Sequence, residues 1–124
     1  MKVLLVDDET ELVSTLAERL SLRGIHADWA ASGEDALELA EAMAYDIAVL
    51  DVKLPGISGL DLKKRLQLKS PHTKFIFVTG HGSEDDFKLG SAEAGEGYYL
   101  VKPVNIESLI QKMNDILKDT GGMP

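Results

Sequence analysis

Cysteine is absent from this 124-residue chain, which excludes disulfides, thiolate metal sites and cysteine nucleophiles. Long apolar runs are absent too. The opening Met1-Lys2-Val3-Leu4-Leu5-Val6 reaches charge at Asp7 after four apolar residues, too few for a signal-peptide core, and no later stretch is long enough to span a bilayer. There is no excess of positive charge: 13 Lys and Arg against 21 Asp and Glu give a net charge of −8. The segment therefore lacks the clustered cations that grip nucleic acid or an anionic membrane. These absences set the expectation of a soluble, cytoplasmic protein with neither nucleic acid nor membrane as a direct partner. What is present is a chain that is 44% apolar and of a length suited to one hydrophobic core.

Short apolar runs alternate with segments of helical period. The runs are Val3–Val6, His26–Ala30, Ile47–Leu50, Phe75–Val78 and Tyr98–Val101. Four are nearly continuous hydrophobe, as parallel strands covered on both faces require; His26–Ala30 is more polar and reads as an edge strand. Between them, Leu12, Val13, Leu16 and Leu20 form one helical stripe, Ala36, Leu37, Ala40 and Met43 a second, Leu62 and Leu66 within Gly59–Lys69 a third, and Ile106, Leu109, Ile110, Met113 and Leu117 the cleanest. A fourth helix is expected after Ser83, where Ser83 and Asp86 resemble a capping box and Gly90 weakens the interior. The pattern predicts five βα units, a parallel sheet and right-handed crossovers. Residues 1–119 are expected to form the domain, and 120–124 a flexible tail or the start of a linker.

In open α/β sheets, ligands collect at the carboxyl ends of the strands near the topological switch point. Asp7, Asp8 and Glu9 follow the first predicted strand, Asp51 ends the third, Thr79 the fourth, and Lys102-Pro103 follows the fifth. Each has an ordinary structural explanation: an Asp capping the first helix, a strand-end threonine, a surface lysine. Together at corresponding strand ends they make a chemical set. Adjacent carboxylates raise one another's pKa unless a cation sits among them, and oxygen-only ligands in a shallow site that keeps waters suit Mg²⁺. A carboxylate beside such an ion can attack a phosphoryl group to give an acyl phosphate. The metal and the Lys102 ammonium would stabilise the transferring charge, and Thr79 offers a hydroxyl to a phosphoryl oxygen.

The motifs Leu4-Leu5-Val6-Asp7-Asp8-Glu9, Val49-Leu50-Asp51-Val52-Lys53-Leu54-Pro55-Gly56 with Ser58-Gly59, Val78-Thr79-Gly80-His81-Gly82 and Tyr99-Leu100-Val101-Lys102-Pro103 resemble the response-regulator receiver domain of two-component signalling, the CheY-like superfamily, from Val3 to about Lys118. The resemblance implies a flavodoxin-like (βα)5 three-layer sandwich with strand order 2-1-3-4-5. It implies that Asp51 takes phosphate from a histidine kinase or histidine phosphotransfer protein, and that Asp8, Asp51 and the backbone carbonyl of Lys53 hold Mg²⁺, with Asp7 acting largely through water. Lys102 would then pair with phosphoryl oxygens, Thr79 and Tyr99 would be the switch residues, and Pro103 would follow a cis peptide bond.

The match has departures. The stretch from Thr79 to Lys102 is about one residue longer than the usual spacing, Val104 stands where Phe is frequent, and Tyr98 beside Tyr99 could compete for one pocket. Lys53 and His81 occupy positions that influence attack of water on the acyl phosphate, and neither is an acid or amide that would orient it, so slow self-dephosphorylation is expected. The chain is not expected to be an enzyme beyond its own phosphorylation and dephosphorylation. A phospho-aspartyl hydrolase would carry a second Asp where Lys53 stands, and flavin binding would need a phosphate-cradling loop where Asp7-Asp8-Glu9 repels phosphate. The alternative on the same fold is a phosphorylation-independent interaction module. A kinase is expected to read Thr10, Leu12, Val13, Ser14 and Val104, and an output domain or partner the face of the fourth helix, fifth strand and fifth helix. A phosphorylation-dependent homodimer stays open.

Overall fold

The structure, a computed structural model, describes residues 1–80 and 99–121. Strands β1 (Lys2–Val6), β2 (His26–Ala30), β3 (Ile47–Asp51), β4 (Lys74–Thr79) and β5 (Tyr99–Val101) form one parallel sheet in the order β2-β1-β3-β4-β5. The described helices are α1 (Thr10–Leu22), α2 (Gly33–Ala42), α3 (Gly59–Lys69) and α4 (Ile106–Gly121). The expected strand order and parallel pairing hold, and the polar β2 lies at the sheet edge. The predicted helix after Ser83, Gly90 within it, Tyr98 and His81 lie outside the described residues.

Side-chain alternation along each strand divides the interior in two. Leu4, Val6, Leu50 and Phe77 pack with Leu62 and Leu66 of α3 on one side of the sheet. Leu5, Val49, Ile76 and Val78 pack with Val13, Ala17 and Leu20 of α1 and with Leu109, Met113 and Ile116 of α4 on the other. Strands buried on both faces need apolar residues at every position, which is why β1, β3 and β4 show no polar alternation.

Ser32 and Ser58 cap α2 and α3, their hydroxyls accepting from the amides of Asp35 at 3.1 Å and Asp61 at 3.2 Å. Helix α1 has no such cap. Its N-cap residue is Glu9, without a side-chain cap bond, so capping is not what Asp7 or Asp8 does there. Val13 also needs correction as a kinase contact: it is buried in the core between sheet, α1 and α4, whereas Thr10 is exposed and Leu12, Ser14 and Val104 are half-buried. Met43 lies just past α2 in extended backbone, so it packs on the core without belonging to the helix.

The chain crosses from β1 outward to β2 and then back past β1 to β3. The carboxyl ends of β1 and β3 therefore flank the switch point, where a crevice forms.

Candidate functional site

Backbone pairing continues past the strand ends and fixes what lies there. Asp51 is in register with Val78, and Thr79 with Val101. The Val52 amide then donates to the Val78 carbonyl at 3.0 Å and the Lys102 amide to the Thr79 carbonyl at 2.8 Å. The peptide bond from Lys102 to Pro103 is cis.

This scaffold gathers carboxylates around one ammonium. Lys102 Nζ lies 3.0 Å from Asp7 Oδ2, 2.9 Å from Glu9 Oε1 and 3.0 Å from Asp51 Oδ2, so its three protons meet three acceptors. The other oxygens of the buried pair face main chain: Asp51 Oδ1 accepts from the Lys53 amide at 3.0 Å, and Asp7 Oδ1 from the Glu9 amide at 2.9 Å. Asp51 and Asp7 are 6% and 7% exposed, while Asp8 and Glu9 are open to solvent.

Burial pushes the Asp51 carboxyl above its ordinary range. The hydrogen bonds from Lys102 and Lys53 pull it back, the Asp7 charge adds to the rise, and the net displacement is upward. For Lys102, burial alone would weaken the ammonium, but its bonds to Glu9, Asp7 and Asp51 outweigh that and hold it above the usual lysine range. It is a fixed cation at neutral pH.

One carboxylate oxygen from each of Asp7, Asp8 and Asp51 lies within 4.8 Å of the others. The donor set is all oxygen, with two buried members and one solvent-facing. That suits a hard divalent cation that keeps part of its water shell.

Thr79 is buried at the end of β4. Tyr99, opposite Phe77 in register, is half-buried against the core on the α2 and α3 side. Lys53 is exposed, and its amide donates to Asp51 Oδ1. Of the residues read from sequence, Asp7, Asp8, Asp51, Lys102 and the Lys53 amide meet in one cluster, Thr79 is buried at the end of β4, Tyr99 packs on the core, and His81 lies outside the described residues.

Two site residues were not singled out from sequence. Glu9 supplies the exposed partner of Lys102, and its only signal is its place as the third acid after β1. Gly59 opens α3 directly beneath Asp51, donating its amide to the Val52 carbonyl at 3.0 Å. A Cβ there would overlap the Asp51 carbonyl oxygen and stand 2.9 Å from the Val52 Cα, so only glycine lets α3 start this close to the acid-bearing strand.

The family model described as "Response regulator receiver domain" matches residues 3–114. Transcriptional regulatory protein CpxR of Escherichia coli (strain K12) is 40% identical over 117 residues, which are 94% of this chain and 49% of that one. The two-component response regulator PhoP of Pseudomonas aeruginosa is 35% identical over 122 residues, 98% of this chain and 54% of that one. The chain thus spans about half the length of these curated relatives. Among solved structures, a CheY-like receiver domain protein from Methanospirillum hungatei superimposes with a TM-score of 0.85 at 30% identity, covering 98% of this chain and 96% of that one. Response regulator TrrA of Thermotoga maritima, in complex with Mg(2+)-BeF, does so at 0.77 and 35% identity over 93% and 97%.

Proposed function

Because this chain belongs to the response regulator receiver domain family, we propose that it is a phosphorylation switch in which Asp51 accepts a phosphoryl group from a phosphohistidine donor. The observation that carries this reading is the buried Asp51 carboxylate, held by the Lys102 ammonium and the Lys53 amide with Asp7 and Asp8 beside it. A carboxylate oxygen of Asp51 attacks phosphorus, the phosphorus–nitrogen bond of the donor breaks, and the imidazole leaves with that electron pair. The product is an acyl phosphate on Asp51.

Asp8 and Asp51, with the Lys53 carbonyl and with Asp7 through water, are the residues to hold Mg²⁺. When bound, the ion neutralises carboxylates and phosphoryl oxygens together. Lys102 has three protons and three carboxylate partners, so pairing with a phosphoryl oxygen requires releasing one of them. Glu9 is the most exposed partner, and its carboxylate is the cheapest to return to water. Thr79 offers its hydroxyl to the new group, and Tyr99 follows as the second switch residue. Lys53 and His81 set how long the acyl phosphate survives, with Pro103 fixing the loop that presents Lys102. The relatives CpxR and PhoP, both regulators, and the TrrA complex with Mg(2+)-BeF support this reading by analogy. A histidine kinase or phosphotransfer protein is the donor, reading Thr10, Leu12, Ser14 and Val104. An output domain or partner protein reads the surface around β5 and α4.

Mass spectrometry of the intact protein after acetyl phosphate and Mg²⁺ tests the proposal. One added phosphoryl group is expected, lost in Asp51→Asn and without Mg²⁺. No addition under any condition would replace the switch by a phosphorylation-independent interaction module.

A further inference from the structure

The outer edge of the sheet is remote in sequence from Asp51 and carries an unused feature. Among the described residues, strand β2 pairs only with β1. The His26 amide donates to the Met1 carbonyl and the Ala30 carbonyl accepts from the Asp7 amide, so His26, Asp28 and Ala30 direct their main-chain groups toward β1. By alternation, those of Ala27 and Trp29 face outward. Beside this edge runs a groove of about 630 Å³, lined among others by Thr10, Trp29, Ala31, Asp35, Glu38 and Leu39. Trp29 is the only tryptophan of the chain and is 41% exposed. Helix α2 contains Glu34, Asp35, Glu38 and Glu41 and no Lys or Arg.

An exposed aromatic ring, an open strand edge and a carboxylate rim favour one kind of occupant. An extended segment can add to the edge through its backbone, and a cation on that segment can lie over the indole face within reach of the carboxylates. A second copy of this chain suits the groove poorly, because pairing β2 with β2 would set like carboxylates of α2 against each other. We propose that this groove docks an extended, Arg- or Lys-bearing segment of a partner protein, its cationic side chain placed between Trp29 and the Asp35 and Glu38 carboxylates.

Because Trp29 is the sole tryptophan, its emission reads the groove directly. The probe is a short blocked peptide of alternating valine and arginine, titrated into the whole chain, with a valine–glutamate peptide as control. A saturable emission change with the arginine peptide alone is expected, weakened about tenfold in the Asp35→Asn/Glu38→Gln double variant. Circular dichroism and acetyl phosphate labelling of that variant check its fold, and neither is expected to change. No saturable change up to millimolar peptide, an equal response to the glutamate peptide, or unaltered affinity in a folded double variant would each overturn the proposal. So would a dimer, seen by light scattering without peptide and abolished in the double variant, since the groove would then belong to a second copy.

Discussion

Burial raises the Asp51 carboxyl, and the bonds from Lys102 and Lys53 offset that rise only in part. The folded chain therefore binds the Asp51 proton more tightly than the unfolded chain, whose value is 3.8. The sign follows from linkage: as pH rises above that value the folded state loses stability relative to a chain without the group. Asp51→Asn keeps one acceptor oxygen, enough for Lys102 or for the Lys53 amide but not for both, and removes the ionisation. In metal-free buffer at neutral pH the variant is expected to be more stable by about 1 kcal/mol, with the gain shrinking as pH falls toward the carboxylate range. Urea unfolding at neutral and acid pH measures it, and a less stable variant would contradict the assignment. Mg²⁺ at ten times its Kd should return about 1.4 kcal/mol to the parent protein, which Asp51→Asn should not match. At this scale Asp7, Asp51, Thr79 and Lys102 were legible because each stands at a strand end in a βα pattern. Glu9 was not, because an acid before a helix is ordinary and only the folded loop shows that it reaches Lys102.

Element boundaries follow from the same residues with differences that have physical causes. Gly59–Lys69 was read as a helix and is one, since Ser58 caps it and Leu62 and Leu66 anchor it. In α1 the buried stripe includes Ala17, and in α4 it includes Ile116. Ala17 was missed because a stripe drawn from the largest side chains skips a small residue, and Ile116 because the stripe ran through Leu117 instead, although Ile116 shares the face of Leu109 and Met113 at i+7 and i+3. Strand β4 begins at Lys74 because pairing with β3 continues through Lys74, a long-range effect absent from local apolarity, and it ends at Thr79, as read from sequence, where Thr79 pairs with Val101 of β5. Gly59 makes the junction of β3 and α3 sensitive. Gly59→Ala places a methyl against the Asp51 carbonyl and Val52 Cα, and neither backbone atom can yield cheaply. A loss of about 1–3 kcal/mol is expected, together with slower acetyl phosphate labelling because the carboxylate is displaced. A Gly59→Ala protein with unchanged urea midpoint and labelling rate would show that α3 can back away without moving Asp51.

Across the whole molecule, repulsion and cohesion are separated to opposite edges of the sheet. The carboxyl edge gathers Asp7, Asp8, Glu9 and Asp51 around Lys102, a cluster suited to chemistry that leaves excess negative charge. The amino edge is tied together instead. The Tyr45 hydroxyl donates to Asp28 Oδ2 at 2.6 Å, the Thr73 hydroxyl to the Tyr45 carbonyl at 2.7 Å, the Lys2 amide to Asp46 Oδ2 at 2.7 Å, and the Lys74 amide to the Asp46 carbonyl at 2.9 Å. These bonds join the starts of β1, β3 and β4 to β2. Burial, then the bond to Asp28 and its charge, holds the Tyr45 phenol above the ordinary tyrosine value of 10.0. The folded pKa is raised, so the stability this group gives is fully present below that value and is lost as pH climbs above it. Tyr45→Phe removes the bond to a partly solvated carboxylate, and about 1 kcal/mol should go at neutral pH. The penalty should narrow at alkaline pH, where the parent loses its own advantage. Phenol absorbance supplies an independent measure: Tyr45 should ionise only at higher pH than a free tyrosine, and that late step should vanish in Tyr45→Phe. Phosphoryl labelling should be unaffected, because the substitution lies at the amino edge and leaves the Asp51 cluster intact. If Tyr45→Phe slowed labelling as much as it lowered stability, the two edges would be coupled and their separation would be wrong.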